Sequence, residues 1–139
     1  MSVHAPDAAG HVQALHDAVH DDLPLFEYGQ VPGEKDSAGA LVPGVKPTIY
    51  GLITVERIGV EPLVMARHSR RTQWRASLRA TGRYTADNCR AALMHLIALE
   101  NTRITVDGHT STPLHIESTE DARPDAGEYS ALVRITYAL

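Results

Sequence analysis

The chain has 139 residues, of which 43% are hydrophobic and 22% are charged, and its formal net charge is −4 at pH 7. This length suits one hydrophobic core and is short for two, so we expect a single domain over residues 1–139. No apolar run approaches the roughly 18 residues of a membrane helix, and the single cysteine, Cys89, excludes an internal disulfide and a thiolate-rich zinc site.

The N-terminal segment shows no secretory signal, since no basic stretch precedes an apolar one, and one cysteine suits assembly in a reducing cytoplasm. Apolar residues recur at steps of four, three and four within Ala8–His20, which predicts an amphipathic helix. His16 and His20 are one helical turn apart, as in zinc-binding pairs. Asp17 stands where a zinc peptidase needs glutamate, and no third ligand is indicated, so a zinc site is not favoured. We expect most of the eight histidines, His11 among them, to be surface residues or satisfied hydrogen-bonding groups.

The stretch from Pro24 to Pro47 is the least regular part of the chain, because four prolines alternate with four glycines. A connection of this length is uncommon in a compact domain unless it binds something or orders on assembly. We expect a short strand within Phe26–Val31 and expect Leu41–Val45 to pack back on the core. An active-site lid is an alternative role, but no nucleophile, base and orienting group accompany it.

Two long strands are predicted next. Thr48–Val60 is apolar on both faces, which favours a central position or a covered surface. Thr72–Gly82 alternates strictly, with Trp74, Ala76, Leu78 and Ala80 on one side, and this period of two is typical of a half-buried strand.

A helix follows directly on the second strand. Thr85 stands at the N-cap position and Asp87 places negative charge at the positive end of the helix dipole. Apolar residues at steps of three and four then predict a helix over Ala86–Glu100 that lies on the sheet. Cys89 falls on the apolar side of this helix, which indicates a buried structural thiol.

The C-terminal third is predicted to be strands and turns. Asp107 and Gly108 form a turn pair between a short strand at Arg103–Val106 and a return strand at Leu114–Glu117. We expect Ser118–Gly127 to be a polar loop. The last strand, Tyr129–Tyr137, alternates clearly and ends close to the C-terminus of the sequence.

Charge is segregated along the chain. Residues 67–83 hold six arginines and no acid, whereas the residues before and after them are acidic overall. Four of these arginines are spaced by four and would line one face of an extended strand: Arg71, Arg75, Arg79 and Arg83. Such a row is consistent with phosphate binding, with contact between copies of the chain, or with an ordinary solvated surface.

This order of elements resembles the tail terminator proteins of long-tailed bacteriophages with non-contractile tails. The resemblance rests on the order and spacing of five segments and spans the chain from about residue 8 to its end. They are Phe26–Pro32 (FEYGQVP), Gln73–Gly82 (QWRASLRATG), Thr85–Leu99 (TADNCRAALMHLIAL), Thr105–Gly108 (TVDG) and Ser118–Asp125 (STEDARPD).

The resemblance implies an α/β (α+β) fold in which two helices pack on a mostly antiparallel, mixed sheet of about four to five strands. It also implies a structural virion protein, not an enzyme and without a cofactor, that acts at the head-proximal end of the tail after assembly in the host cytoplasm. Members of this family form a homohexameric ring that caps the tail tube, stops its polymerisation and offers a surface for head-completion proteins.

The partners implied are other copies of the chain, the tail tube protein, the head-completion or connector protein, and genome DNA that passes through the channel without sequence-specific binding; no membrane is implied. We predict that Arg75 and Arg79 pair with acids of a neighbouring copy or line the channel rim, and that residues 33–47 order only on assembly. The alternatives are another head-tail connector, a tail tube protein, or a nucleic-acid-binding module that uses the arginine row; its affinity would fall steeply with salt.

Overall fold

The computed structural model describes residues 8–19, 23–61 and 71–139. These residues form an α+β fold with two helices, as predicted. The helices are α1 (Ala8–Ala18) and α2 (Ala86–Ile97). The strands are β1 (Leu25–Phe26), β2 (Ile49–Glu61), β3 (Arg71–Gly82), β4 (Thr105–Val106), β5 (His109–Thr110), β6 (His115–Thr119), β7 (Arg123–Asp125) and β8 (Glu128–Ala138).

The main sheet has the strand order β1-β2-β3-β8-β6, and β7 also pairs with β8. Within the described residues it therefore has six strands, where about four to five were predicted. The sheet is mixed, because β1 runs parallel to β2 while the other pairs are antiparallel. The separate pair β4-β5 forms a small hairpin beside it.

One face of this sheet carries the hydrophobic core, and both helices lie on it. The predicted alternation of β3 is confirmed, since Trp74, Ala76, Leu78 and Ala80 are all buried. They pack with the apolar residues of β8, with Ile53 of β2 and with the apolar sides of both helices. Burial of alternate side chains thus fixes which face of each strand points to the helices.

Helix α2 begins where the sequence predicted. Thr85 is the N-cap, and its Oγ1 accepts the N–H of Asn88 at 3.3 Å. The helix ends at Ile97 rather than at Glu100. Leu99 and Glu100 donate their N–H groups to the carbonyls three residues earlier instead of four, and Asn101 takes a positive φ of 65°. Cys89 is fully buried, as predicted, and burial raises the pKa of its thiol.

Helix α1 is anchored by a hydrogen-bonded histidine, which is one of the two roles expected for most histidines of this chain. His11 is fully buried, and its Nδ1 lies 2.6 Å from the hydroxyl of Tyr137 on β8. Its ring also lies 3.9 Å from that of Trp74, centroid to centroid. Burial raises the pKa of Tyr137, so the phenol stays protonated and can share a hydrogen bond with the imidazole.

Two predictions for the C-terminal third are wrong. The strand ending at Val106 pairs with His109 through the two-residue turn Asp107–Gly108, and not with Leu114–Glu117, which overlaps β6 and pairs with β8. The turn is this short because both of its central residues take positive φ. The expected polar loop at Ser118–Gly127 instead contains β7, which forms a second tight hairpin with β8.

The junction of β3 and α2 generates a stability prediction. A Cβ added at Gly82 would lie 2.0 Å from the backbone nitrogen of Cys89, so Gly82→Ala forces strand and helix apart. We expect the free energy of unfolding to fall by about 3 kcal/mol or more, as measured by urea denaturation. The matched control is Gly59→Ala in β2, where the nearest atom would be Gln73 Oε1 at 3.6 Å; equal losses in the two variants would contradict the packing argument.

Candidate interaction surface

The face of the sheet opposite the helices is polar, and we call it the polar face. Its members are Thr54 and Glu56 on β2, Arg75, Ser77 and Arg79 on β3, and Leu132, Arg134 and Thr136 on β8. Each of these side chains is exposed or half-buried, in contrast to the buried residues that alternate with them. Among the described residues, no helix covers this face.

Arg75 lies on the polar face, as the arginine spacing predicted, and it is paired within its own chain. Its Nε and Nη2 donate to the two carboxylate oxygens of Glu117 on β6, at 3.0 and 3.2 Å. Glu56 on β2 lies 3.7 Å from Nη1. The bidentate geometry fixes the guanidinium beside Glu117, so the charge of Arg75 is already paired before any second molecule approaches.

Arg79 has a different environment. Its Nη1 donates to the hydroxyl of Ser130 at 3.2 Å, and that hydroxyl in turn donates to Asp125 at 3.1 Å. Arg134 is exposed and lies opposite Ser77 in the pairing of β3 with β8. Neither Arg79 nor Arg134 forms a salt bridge within the described part of the chain, so these two are the polar-face arginines open to an external anion.

The two remaining arginines of the predicted row lie at its ends. Arg71 is the first residue of β3, half-buried and opposite Glu61 in the strand pairing. Arg83 follows the end of β3, and its Nη1 donates to the carbonyl of Lys46 at 3.0 Å. The structure therefore places Arg71, Arg75 and Arg79 on β3 and Arg83 just past its end, and it gives the four arginines separate environments. The basic residues 67–70 lie outside the described residues.

A cluster of charged groups joins the 27–47 loop to one end of the sheet, and we call it the charge cluster. Its members are Glu34, Lys46, Tyr50, Arg83 and Glu128. Lys46 Nζ lies 2.9 Å from Glu34 and also contacts Glu128, while the hydroxyl of Tyr50 donates to Glu128 at 3.0 Å. Arg83 Nε lies 4.0 Å from the same carboxylate. Two acids and two cations balance here.

The charge cluster is mostly shielded from solvent, and the ionisation of its members reflects this. Burial acts to lower the pKa of Lys46, but hydrogen bonds to Glu128 and Glu34 outweigh it, and the pKa is raised. Burial and the negative charge of Glu128 raise the pKa of Tyr50. At neutral pH the lysine is therefore charged and the phenol is neutral, which is the state that holds the loop on the sheet.

The loop itself has a defined path in the single chain. Lys35 and Leu41 form a β-bridge, Val42 N–H donates to the carbonyl of Glu34 at 2.8 Å, and Asp36 accepts the N–H groups of two residues in the turn. These contacts all lie within one chain; that residues 33–47 order only on assembly stays a prediction. The expected strand within Phe26–Val31 is limited to β1.

The prediction that Leu41–Val45 packs back on the core is wrong. Leu41 is 67% exposed and Val45 is 88% exposed. Backbone hydrogen bonds and the charge cluster hold the loop, not these two apolar side chains. Sequence reasoning missed the charge cluster because its members lie far apart in the chain and their meeting depends on strand register; the acidic and basic residues within the loop were the only local signal.

Other site types predicted or considered from the sequence find no support among the described residues. No group of three or more His, Cys, Asp and Glu side chains there is placed to hold a metal ion. His20, the second member of the zinc-like pair, lies outside that part of the chain. Neither of the two described helices is long and apolar enough to cross a membrane.

Comparison with known proteins supports the fold. No protein-family model matches the sequence, and no curated protein is significantly similar to it. Solved structures do match: one superposes with a TM-score of 0.58 at 13% sequence identity, over 94% of this chain and 90% of the other. At this identity the likeness concerns the fold alone.

The charge cluster leads to a prediction about the loop. Lys46→Met leaves Glu34 and Glu128 without their shared cation, so we expect the loop to detach and the free energy of unfolding to fall by about 1.5–3 kcal/mol. Limited proteolysis with thermolysin, in dilute solution, should cut faster between Gly39 and Val45. Arg90→Met is the control, because its pair with Asp87 is exposed and contributes little; equal cutting rates in both variants would reject the role of Lys46.

The raised pKa of Tyr50 predicts an alkaline loss of stability. The folded state keeps the phenol proton more tightly than the unfolded state, so stability is complete below about pH 10 and falls as pH rises above it, by up to about 1.4 kcal/mol per pH unit for each such group. Tyr50→Phe removes the one proton that this group contributes, so the slope of stability against pH should fall by up to about 1.4 kcal/mol per pH unit. Urea denaturation between pH 9 and 11 measures it, and a slope identical to that of the wild type would contradict the prediction.

Proposed function

We propose that this chain is a tail terminator of a long-tailed bacteriophage, a structural protein whose copies form a hexameric ring at the head-proximal end of the tail tube. The proposal rests on the sequence resemblance and on one structural observation, the polar face. Both helices lie on the other side of the sheet, and the charge cluster and loop cover only one end of this face. A sheet face that keeps a half-exposed mixture of arginines, acids and aliphatic groups suits a polar protein contact.

In this ring the polar face meets a neighbouring copy or the channel rim. Arg79 and Arg134 are suited to bind carboxylates of a neighbour, because their own chain provides no acid at salt-bridge distance within the described residues. Arg75 is less suited, since Glu117 and Glu56 already flank it. The predicted pairing between copies therefore depends on Arg79. Arg134 joins it as a second candidate, which the sequence analysis did not identify.

The ring stops tube polymerisation by covering the end of the tail tube and provides the joining surface for the head-completion protein. Its function in this proposal is geometric: the chain is not an enzyme and needs no cofactor or membrane. Genome DNA passes through the channel of the proposed ring without sequence-specific binding. The site of action is the virion tail, after assembly in the host cytoplasm.

The alternative of a nucleic-acid-binding module drew its support from the arginine row. Each of Arg75 and Arg83 lies beside at least one carboxylate contributed by a distant part of the chain. Two of the four arginines in the row thus share their charge with carboxylates, which weakens the support for phosphate binding by this row. Another head-tail connector stays the nearest alternative, because it would use the same kind of surface.

The proposed ring predicts the mass of the assembled protein and predicts that charge reversal on the polar face weakens assembly. Native mass spectrometry of the wild-type protein should show six times the 15.1 kDa of one chain. Reversing both free cations, with Arg79→Glu and Arg134→Glu, should raise the concentration needed for assembly by at least about tenfold, equivalent to 1.4 kcal/mol.

The control for this experiment is Arg90→Glu on the exposed side of α2, which should assemble as the wild type does. Circular dichroism of each variant checks that the fold is intact. A ring that forms equally well from the double variant would remove the polar face from the interface, and a wild-type chain that stays monomeric at every concentration, with or without tube protein, would reject the ring.

A further inference from the structure

Strand β2 has one edge that its own chain covers only in part. On one side β2 pairs with β3 along its length, from Ile49 to Glu61. On the other side β1 pairs only with Gly51 and Leu52. The stretch Val55–Arg57 lies beyond this short strand, and we call it the open edge.

The backbone pattern of β2 shows which groups the open edge presents. In an antiparallel strand the N–H and C=O groups of one residue point to the same side, and that side alternates from residue to residue. Gly51 donates its N–H to the carbonyl of Pro24 at 2.9 Å, on the outer side of β2. The same alternation directs the N–H and C=O groups of Val55 and Arg57 outward. Among the described residues, no backbone or side-chain group bonds them.

The opposite edge of the sheet, at β6, is covered by the residues that follow α2. Asn101 donates its N–H to the carbonyl of Leu114 at 2.9 Å, and Leu114 donates to the carbonyl of Thr102 at 2.7 Å. The carboxylate of Glu100 accepts the N–H of Ile116 at 2.5 Å. Because unpaired backbone groups at a sheet edge are a template for another strand, the open edge of β2 is the more exposed to strand addition.

The open edge is complementary to the open edge of a second copy. An antiparallel pair that places Val55 opposite Arg57 of the second copy joins each outward N–H to an outward C=O. The two-fold axis of this pair passes between the two Glu56 residues, whose carboxylates then lie side by side on the polar face. Like charges directly opposite each other destabilise a strand pair. The side chain thus opposes a pairing for which the backbone is suited.

Glu56 keeps most of its charge available for this repulsion. Its side chain is 65% exposed and lies 3.7 Å from Arg75 Nη1, whereas Arg75 makes its two hydrogen bonds to Glu117. The register of β2 and β3 also shifts between Arg57 and Gly59, so the regular edge ends just past the open edge. A charged side chain and a bulge are both devices that limit pairing between sheet edges.

We propose that Glu56 prevents β2 of one copy from pairing with β2 of another, so that copies of the chain do not associate edge to edge. This role goes beyond the proposed ring and does not depend on it. The partner that is refused is a second copy of this chain, and the chemistry that refuses it is the pair of facing carboxylates.

An exchange of charge at position 56 tests the proposal. At pH 7 the wild type brings Glu opposite Glu and the variant Glu56→Lys brings Lys opposite Lys, so neither should pair alone. A one-to-one mixture brings Lys opposite Glu and should pair at a concentration at least about tenfold lower than either protein alone. Hydrogen exchange of single amides measures this, with one protein isotopically labelled: the amides of Val55 and Arg57 should be protected only in the mixture.

Glu56→Gln removes the charge and should pair with itself at a similarly reduced concentration. Asp121→Asn is the matched control, because Asp121 is exposed between β6 and β7, away from the open edge, and the net charge changes equally. The amide of Thr54, which faces β3, should stay protected in every sample and so reports an intact sheet. Protected Val55 and Arg57 amides in dilute wild type would overturn the proposal, as would a mixture that pairs no better than Glu56→Lys alone or equal pairing of Glu56→Gln and Asp121→Asn.

Discussion

The close approach of α2 to the end of β3 depends on Gly82, because any side chain there would overlap the backbone of the helix. This contact places the N-terminus of α2 directly on the sheet, where Ala92 and Leu96 pack against the alternating residues of β3 and β8. His11 fixes α1 to the same face through Tyr137 and Trp74. Both helices therefore lie on one side, and the polar side chains of the other side stay at the surface.

The fold changes the meaning of the charge pattern. In the sequence, residues 67–83 are a purely basic block. In the folded chain, Glu117 comes to Arg75 from β6, and Glu128 comes to Lys46 and Arg83 from the start of β8. Among the described residues, the result is a surface of local ion pairs on which Arg79 and Arg134 form no salt bridge. These ion pairs are the reason why we propose a protein contact rather than nucleic-acid binding for this face.

The long strands and the helices could be predicted from the sequence, because burial on one side imposes alternation on a strand and steps of three and four on a helix. The bounds of β3 and β8 and the Thr85 cap followed from such patterns. The hairpins followed only in part, since the Asp107–Gly108 turn was predicted but its return strand was not. Ala126 takes a positive φ at the turn before β8 although alanine seldom does so, and no local signal marks it.

The candidate site was predictable only in part. Spacing placed Arg75 and Arg79 on one face of a strand, which the structure confirms. Their partners could not be read from spacing, since Glu117 and Ser130 lie 42 and 51 residues further along the chain. The exposure of Leu41 and Val45 was also missed, because apolar residues near glycine and proline gave the same signal whether they pack inward or form a contact surface.

The central claim is that the polar face lies between copies of the chain in a closed ring. Electron microscopy of the assembled protein, at a resolution that separates strands, tests it most directly. The account predicts a six-fold ring in which Arg79 and Arg134 of each copy face a neighbour or the channel rim. A ring whose polar faces all point to outer solvent, with the helices at the contacts instead, would contradict it.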